Sequence, residues 1–398
     1  MKIAVVNATP RLGGAGLIAK DVARGMASRG HDVRFISTAK TASQGFDADL
    51  GCHQVLVPTG PQSALAHYVN PVATAALARE LARFEPDVVN FHNVNLRTFS
   101  ASSLLLSRRW TSAWTLHDVW PVCMTGWPEP PDCQGMHRGC QRCPTWPDWQ
   151  TRTNRLLKDL IFAQARLTVV CPSQWMADTV ASSALGRHPT AIVRNGVDTA
   201  LFARRDDARA ELGIAPEAVV MVFSGGRRVS GTSPAFRKGW DDLRAALGLL
   251  GKRDKLELLY VGDPIDLPAD FPVPVTFTGG VERTRMPHFY SAADICVLPT
   301  LGDNAPLGVL EAMSVGTAIV ATHVGGIPEV LEDGRSARLC PARNPKALAD
   351  ALGAVLDDKS HRQELAQTAH RHLHKSLTLE HMLGGYEALF ERLGGAPC

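Results

Sequence analysis

The sequence predicts an α/β protein made of two doubly wound, Rossmann-like domains. Short apolar strands alternate with helical segments along almost the whole chain, and this pattern starts again after "RNGVD" at residues 194–198. Such alternation produces parallel sheets with helices on both faces. The chain has 398 residues, of which 45% are hydrophobic, so each half is long enough to bury its own core. We therefore expect two domains that face a cleft.

The predicted boundaries follow that repetition. Residues 1–193 are expected to form the N-terminal domain, which includes a Cys-rich loop at 123–143. Residues 194–375 are expected to form the C-terminal domain. Residues 376–398 are expected to form a C-terminal helix that packs back toward the first domain.

In the first half, residues 3–7 have the apolar pattern of a buried strand, and the glycines Gly13, Gly14 and Gly16 follow it. A helical stretch comes next and ends at Gly30, and further strands are predicted at 31–36, 86–91, 113–116 and 167–171. The glycine spacing is not G-x-G-x-x-G, which argues against a nicotinamide cofactor. A loop that lets the backbone approach a ligand, or a tight turn, fits the glycines better.

In the second half, strands are predicted at 219–224, 256–261, 275–278, 295–298 and 318–321. The last two flank "GDNAPLGVLEAM" at 302–313, which contains two carboxylates, Asp303 and Glu311. A helix is predicted from about Pro306 to residue 315 and ends before Gly316. Asp303 then lies on the loop and Glu311 in the second helical turn, so the two do not form a pair on one helix face. Each could hold a separate hydroxyl-bearing part of one ligand, with the helix N-terminus between them for phosphate. A turn cap and a surface helix residue are the alternative.

The composition gives few further constraints. Residues 1–190 carry 19 Lys and Arg against 13 Asp and Glu, and the remaining residues carry 23 against 26. This weak asymmetry gives no reason to expect a nucleic-acid partner, although it permits an anionic partner or a membrane surface. No apolar run has the length of a signal peptide or a spanning helix, so we expect a cytoplasmic protein, with peripheral association at the inner face of the membrane left open.

Several motifs together resemble retaining GT-B glycosyltransferases of family 4. The stretch "DNAPLGVLEAMSVGTAIVATHVGGIPEVLEDG" at 303–334 is similar to the donor-site signature of that family, with Asp303 in place of the commoner Glu. This variant resembles the branch of colanic-acid-type polysaccharide transferases. Other matches occur in the family's order, and they are "TLHDVWP" at 115–121, "NGVD" at 195–198, "RKGWDDLRAAL" at 237–247, "FTGGV" at 277–281 and "YSAADICVLPT" at 290–300.

The resemblance implies a nucleotide-sugar donor, which is a co-substrate, and no catalytic metal or other cofactor. Lys238 would stabilise the phosphates of the leaving group, assisted by Arg237 or Arg227, and Glu311 would hold the ribose. Ten residues separate Arg227 from Lys238, more than the family usually shows, and a solvated loop charge is the alternative for Arg227. Asp303 and the backbone of Asn304, Ala305, Pro306 and Leu307 would hold the sugar hydroxyls and the second phosphate. Gly280 and Val281 would offer backbone groups to the base.

The resemblance also implies that residues 1–193 bind the acceptor and residues 194–375 bind the donor, and it assigns residues to the first domain. His117, after a predicted strand, would contact the donor sugar near the reacting carbon, which places it with Lys238 and Asp303 among the catalytic residues. The acceptor-binding residues would be Gly13, Gly14, His92, Asn93, Asp118 and Trp120, although capping or core packing also explains several of these. Retention of anomeric configuration is implied by the family alone.

Four of the nine cysteines lie in the spacing C-x9-C-x6-C-x2-C, as Cys123, Cys133, Cys140 and Cys143. The Cys140/Cys143 pair suits a zinc half-site, and the set would form a structural, tetrahedral site. His137 is an alternative ligand to Cys123. Cysteines without a metal, or a redox pair, are the other interpretations.

The predicted function is transfer of a sugar from a UDP- or GDP-type donor to a hydroxyl of a polysaccharide, lipid-linked or small natural-product acceptor. One alternative is a sugar-nucleotide epimerase with the same fold. Another is a sugar-nucleotide-binding module without turnover. A nicotinamide oxidoreductase is the most remote option. The sequence leaves the oligomeric state open.

Overall fold

The structure is a computed structural model of the chain. It describes residues 1–9, 13–60, 66, 68–95, 98–124, 126, 133, 143, 146–226 and 234–395. The chain divides into two compact units, one comprising residues 1–195 and 381–398 and the other residues 196–380. Each unit is built around its own sheet.

The first unit contains an eight-stranded sheet in the order β3-β4-β2-β1-β5-β6-β7-β8. Every neighbouring pair is parallel except β3 with β4, which is antiparallel. The strands are β1 Lys2–Val6, β2 Asp32–Ala39, β3 Ser43–Asp47, β4 Cys52–Pro58, β5 Val88–Phe91, β6 Ser112–Thr115, β7 Thr168–Cys171 and β8 Thr190–Ile192. All residues of β5, β6 and β7 are buried, as expected for parallel strands covered on both faces.

Four α-helices of this unit precede the second sheet. They are α1 Gly13–Ser28, α2 Pro71–Phe84, α3 Asp148–Gln164 and α4 Gln174–Ala181. Helix α2 begins with the side chain of Asn70 accepting a hydrogen bond from the Ala73 amide, and α4 begins in the same way with Ser173 and Met176. Shorter 3-10 helices occupy Ala101–Arg108 and Ala184–Arg187.

The second unit contains a six-stranded, fully parallel sheet in the order β11-β10-β9-β12-β13-β14. The strands are β9 Val219–Gly226, β10 Leu256–Gly262, β11 Val275–Phe277, β12 Ile295–Leu298, β13 Ala318–Thr322 and β14 Arg338–Cys340. The helices are α5 Ala208–Glu211, α6 Trp240–Leu250, α7 Met286–Ala292, α8 Leu307–Val315, α9 Pro345–Asp357 and α10 Lys359–Ser376. Two hydrophobic clusters cover the two faces of this sheet. The predicted α/β class with two Rossmann-like units is confirmed.

The last helix, α11 Leu379–Gly394, continues from the second unit and packs in the first. It packs so closely on α1 that a Cβ at Gly25 would lie 2.3 Å from the Leu383 side chain. Its Tyr386 is buried and reaches the end of β6. A residue close to the C-terminus therefore lies beside the loops that follow the central strands of the first sheet.

No helix among the described residues is both long enough and apolar enough to span a membrane.

Candidate functional site

In the first unit, polar side chains gather where β5 and β6 end. A small cavity there is lined by His92, Asn93, Asn95, His117, Asp118 and Trp120, among others. The carboxyl ends of neighbouring parallel strands meet at one edge of a sheet, which is where ligands bind in doubly wound folds. The structure thus brings together five of the residues that the sequence assigned to the acceptor side and to catalysis, and adds Asn95.

The two histidines of this cavity are hydrogen-bonded to each other. Nδ1 of His92 lies 2.8 Å from Nε2 of His117, and Nε2 of His92 lies 2.7 Å from Oδ1 of Asn90. His92 is fully buried, so both of its ring nitrogens are occupied by protein groups and it lies behind His117. His117 is half-buried and is the histidine of this pair that a ligand could reach.

Burial lowers the pKa of both imidazoles. The pKa of His117 is lowered from 6.5 to about 4, and that of His92 is held well below its usual value by burial and by its neighbour His117. Both rings are therefore neutral near pH 7, and each carries a single ring proton. The two imidazoles therefore offer hydrogen bonds without a positive charge.

Asp118 and Trp120 are held by the protein around them. Oδ1 of Asp118 accepts a hydrogen bond from the Trp120 amide at 2.9 Å, and burial raises the pKa of the Asp118 carboxyl. The buried ammonium of Lys158 lies 4.1 Å from the centre of the Trp120 ring. It donates to the carbonyls of Trp120 and of Cys123, the latter at 2.7 Å. Lys158 thus fixes the backbone of the segment that follows His117.

The other residues assigned to the acceptor, Asn93, Gly13 and Gly14, make fewer contacts that fix their positions. Asn93 is half-buried, and its backbone amide donates a hydrogen bond to Oδ1 of Asn7 at 3.2 Å. Asn7 therefore links the loops that follow β1 and β5. Gly13 and Gly14 are exposed at the start of α1, and Gly13 has a φ of +68°.

In the second unit, the loop after β12 is packed against two neighbouring loops through glycines. A Cβ at Gly239 would lie 1.8 Å from the carbonyl oxygen of Pro299, and a Cβ at Gly325 would lie 1.6 Å from that of Asp303. Both glycines also have positive φ angles, so glycine is required there for two reasons. The carbonyl of Arg237 accepts a hydrogen bond from the Leu301 amide at 3.1 Å. These contacts hold Lys238 and Asp303 next to each other.

Lys238 and Asp303 form an ion pair. Nζ of Lys238 lies 3.2 Å from Oδ2 of Asp303, and about a third of the lysine side chain is exposed. Phe223, Val297, Thr300 and Pro306 line a pocket together with this pair. A cation that is held in place by one carboxylate and still reaches solvent can bind a further anion.

Glu311 lies in the second turn of α8 and is buried at 7% exposure. Its Oε1 lies 3.4 Å from Nε of Arg283, and its Oε2 accepts a hydrogen bond from the Tyr290 hydroxyl at 3.2 Å. Burial, and then the charge of Glu311, hold the pKa of Tyr290 well above its usual value, so that this hydroxyl stays protonated as a donor. These contacts offset the large cost of burying a carboxylate.

The remaining residues assigned to the donor lie near the Lys238–Asp303 ion pair and Glu311. Asn304 is buried and its carbonyl accepts from the Gly326 amide at 2.9 Å, while Ala305, Pro306 and Leu307 are half-buried at the start of α8. Helix α8 ends at Val315, before Gly316, as predicted, and it begins without a side-chain cap. Gly280 is exposed after β11 and Val281 packs against the core. Arg227 lies outside the described residues.

The Cys-rich segment is described only in part. Cys123 is buried, Cys133 and Cys143 are half-buried, and Cys140 and His137 lie outside the described residues. Within the part of the chain that the structure describes, no group of three His, Cys, Asp or Glu side chains is placed to hold a metal ion. The zinc site stays a prediction.

Sequence analysis missed the residues that support the predicted ones. Arg283 and Tyr290 hold Glu311, Asn90 holds His92, and Tyr386 reaches β6 from the far end of the chain. Tyr290 opens the quoted motif at 290–300, but the motif gave it no role. Arg283, Tyr290 and Tyr386 each act through a partner distant in sequence, whereas Asn90 lies two residues from His92. Only the polar residue Asn90 within an apolar strand gave a local signal.

Two family models match the chain over adjoining regions. Residues 12–201 match "Glycosyltransferase Family 4", and residues 228–358 match "Glycosyl transferases group 1".

Among curated proteins, a D-inositol 3-phosphate glycosyltransferase of Corynebacterium diphtheriae is 25% identical over 90% of this chain and 85% of its own length. Another from Acidothermus cellulolyticus is 33% identical over about half of each chain, 50% of this one and 48% of its own.

Solved structures show the same fold. Sucrose-phosphate synthase from Thermosynechococcus elongatus aligns over the whole of both chains, with a TM-score of 0.80 and 20% identity. The Anabaena protein HepE in complex with UDP-glucose aligns over 98% of this chain and 99% of its own, with a TM-score of 0.68 and 18% identity. WaaG, a glycosyltransferase involved in lipopolysaccharide biosynthesis, covers 99% of this chain and 100% of its own, with a TM-score of 0.67 and 16% identity.

Proposed function

We propose a specific reaction for this chain, which is a glycosyltransferase of the GT-B fold that uses a nucleotide-sugar donor. It moves a sugar from a UDP- or GDP-type donor to a hydroxyl of an acceptor, with retention of the anomeric configuration. The observation that carries the proposal is the arrangement around α8. A cation–carboxylate pair stands before the helix and a buried carboxylate in its second turn, at the carboxyl edge of a parallel sheet.

Lys238 is assigned to the diphosphate. Breaking the bond between the sugar carbon and the phosphate oxygen leaves negative charge on the diphosphate, and a positioned ammonium stabilises that charge. Asp303 holds Lys238 in place before the donor arrives. On binding, the ammonium turns to the phosphate, and Asp303 accepts hydrogen bonds from the sugar hydroxyls. Arg237, and Arg227 by resemblance, assist, and the first amides of α8 face the second phosphate.

Glu311 is assigned to the ribose. An ionised carboxylate can accept two hydrogen bonds from a vicinal diol, which suits the two hydroxyls of a ribose. Arg283 and Tyr290 hold this buried carboxylate in a fixed orientation. Gly280 and Val281 supply backbone groups to the base.

His117 is assigned to the sugar portion of the donor, and Asn93 and Asp118 to the acceptor. His92, being buried, acts through His117. The acceptor hydroxyl attacks the sugar carbon on the face that the diphosphate leaves. The new carbon–oxygen bond replaces the bond to phosphate, and the proton of the hydroxyl passes to the leaving phosphate oxygen. No protein nucleophile is needed.

The acceptor is a saccharide, lipid-linked or small-molecule hydroxyl. An exposed stripe on α3 supports a lipid-linked acceptor and weak association with a membrane surface, since Trp149, Leu156 and Leu160 are 67%, 59% and 52% exposed, respectively. Trp and Leu on one face of a helix, with an exposed Arg152 beside them, are typical of interfacial helices. Phosphorylated inositol also belongs in the first acceptor panel, because the curated relatives are named for it.

The test is a panel of UDP-, GDP- and dTDP-sugars incubated with the full chain, with release of nucleoside diphosphate measured by chromatography. We expect slow release from one donor class without acceptor, and faster release together with a glycoside of retained configuration when an acceptor is present. Lys238→Met should lower the rate of release by about 10²–10³-fold. The matched control is Lys346→Met, which changes an exposed lysine of α9 paired with Asp350.

Other outcomes would contradict the proposal. Thermal stabilisation by a donor without any release of nucleoside diphosphate indicates a binding module. A donor returned with one inverted sugar carbon indicates an epimerase. Inversion at the anomeric carbon of the product would refute retention.

The zinc prediction needs a separate measurement. Elemental analysis of the purified chain should find about one zinc per chain if Cys123, Cys133, Cys140 and Cys143, or His137 in place of Cys123, form the structural site. Absence of zinc after purification in zinc-supplemented buffer would refute it.

A further inference from the structure

A chain of hydrogen-bonded side chains runs through the first unit and ends at His117. Tyr386 of α11 lies 3.1 Å from the Thr115 hydroxyl at the end of β6, and the Asn90 amide of β5 donates to that hydroxyl at 3.2 Å. Asn90 then meets His92, and His92 meets His117, at 2.7 Å and 2.8 Å. The first four members are buried, and only the last is reached by solvent.

The donors and acceptors along this chain are mutually dependent. Because the Nδ2 amide of Asn90 donates to Thr115, its carbonyl Oδ1 faces His92 and can only accept. Nε2 of His92 therefore carries the ring proton of that residue, and its Nδ1 is a bare acceptor. The partner of that acceptor must be a protonated nitrogen, so Nε2 of His117 carries the proton and Nδ1 of His117 is bare.

We infer that Asn90, His92, Thr115 and Tyr386 are positioning residues that select the tautomer of His117 and leave its Nδ1 free as a hydrogen-bond acceptor. Selecting the tautomer through the hydrogen bond made by the other ring nitrogen is a general device for histidines in sites. Burial supports it, because the lowered pKa of both rings keeps each of them singly protonated near neutral pH.

The consequence concerns the ligand. A bare ring nitrogen accepts a hydrogen bond from a hydroxyl and repels a carbonyl or phosphate oxygen that has no proton to give. This part rests on the proposed function, in which His117 contacts the sugar. The tautomer itself does not, because it is a property of the unliganded protein.

The test is nitrogen NMR of the imidazole rings in the full chain labelled with ¹⁵N-histidine, without ligand. His117 is assigned from the signals that disappear in His117→Asn. We expect a protonated Nε2 and an unprotonated Nδ1 in His117, and the same arrangement in His92. A protonated Nδ1 in His117 would overturn the inference. It requires the side-chain amide of Asn90 to be rotated by about 180° and every hydrogen bond of the series to run in the opposite direction.

Two variants test whether this series of hydrogen bonds selects the tautomer of His117. Asn90→Leu removes the fixed acceptor, so His117 should populate both tautomers. Thr115→Val cuts the contact with Tyr386 at constant shape, and a second set of His117 signals should appear. Thr179→Val, which alters an equally buried threonine of α4 that bonds the Trp175 carbonyl, is the control and should leave the His117 signals unchanged.

A single unchanged tautomer in both folded variants would overturn the inference. Asn90→Leu could also unfold the first unit. Thr115→Val and the spectrum of the unsubstituted protein therefore each test the tautomer selection independently of that variant. Failure of donor turnover with the expected tautomer present would refute the proposed function and leave the tautomer selection standing.

Discussion

The two sheets present opposite kinds of chemistry at equivalent edges. After β5 and β6 of the first unit, the exposed end of the polar cluster is a neutral histidine backed by neutral groups. After β9 and β12 of the second unit, the cluster consists of ion pairs, Lys238 with Asp303 and Arg283 with Glu311. The same doubly wound topology therefore carries a neutral, hydrogen-bonded cluster at one edge and a cluster of ion pairs at the other.

The two edges differ in the interactions that hold their side chains in position. Neutral hydrogen bonds are directional, so the first site is fixed by a chain of donors and acceptors that extends to Tyr386. Ion pairs are less directional, so the second site is fixed by backbone contacts at Gly239 and Gly325, where any side chain would collide with a neighbouring carbonyl.

The largest expected effect is at the charged edge. Lys238→Met should lower kcat/KM for the nucleotide sugar by about 10²–10³-fold, because a single positioned donor to a developing charge contributes about that much. Steady-state kinetics with the best donor measures this. Lys346→Met should remain within twofold of the natural chain, and a similarly small change in Lys238→Met would remove the lysine from the mechanism.

A smaller effect separates sugar contacts from nucleotide contacts. Asp303→Asn should lower kcat by about 10–100-fold, because hydrogen bonds to a charged group contribute about 1.5–3 kcal/mol, while UDP affinity changes little. Parallel measurements of turnover and of UDP binding decide it. Loss of UDP affinity with unchanged kcat would place Asp303 on the nucleotide instead.

The smallest effect concerns stability at the neutral edge. His117 has a pKa of about 4 in the folded chain and about 6.5 unfolded, so the unfolded state binds more protons between these values. Stability is therefore fully present above about pH 6.5 and falls as the pH falls toward 4, by up to about 1.4 kcal/mol per pH unit. Urea unfolding across this range should show a shallower pH dependence in His117→Asn. Equal slopes in both proteins would contradict the neutral character of this edge.

The sequence predicted the central strands of both sheets because those strands are continuous apolar runs. It missed β3, β4, β8 and β14. Three of these, β3, β8 and β14, are short edge strands, and β3 is mostly exposed. Strand β4 lies inside the sheet, but its buried residues alternate with more exposed ones instead of forming a continuous apolar run. It located Asp303, Glu311 and His117 because each follows a strand in a recognisable motif. It assigned His92 to the acceptor, whereas the structure buries that ring, because motif order carries no information on which of two adjacent histidines faces solvent. Arg283 and Tyr386 depend on tertiary contacts, which no local pattern encodes.

The most direct test of the division between a charged nucleotide site and a neutral sugar site is a calorimetric titration of UDP. It is carried out on the unsubstituted protein, Glu311→Gln and His117→Asn, and is paired with measurement of UDP-sugar turnover. GDP replaces UDP if the donor panel selects it. Glu311→Gln should weaken UDP binding about tenfold or more, the scale of a charge-assisted hydrogen bond. His117→Asn should keep UDP affinity within about twofold and lose most of its turnover. The reverse pattern, with UDP affinity lost in His117→Asn and kept in Glu311→Gln, would contradict it.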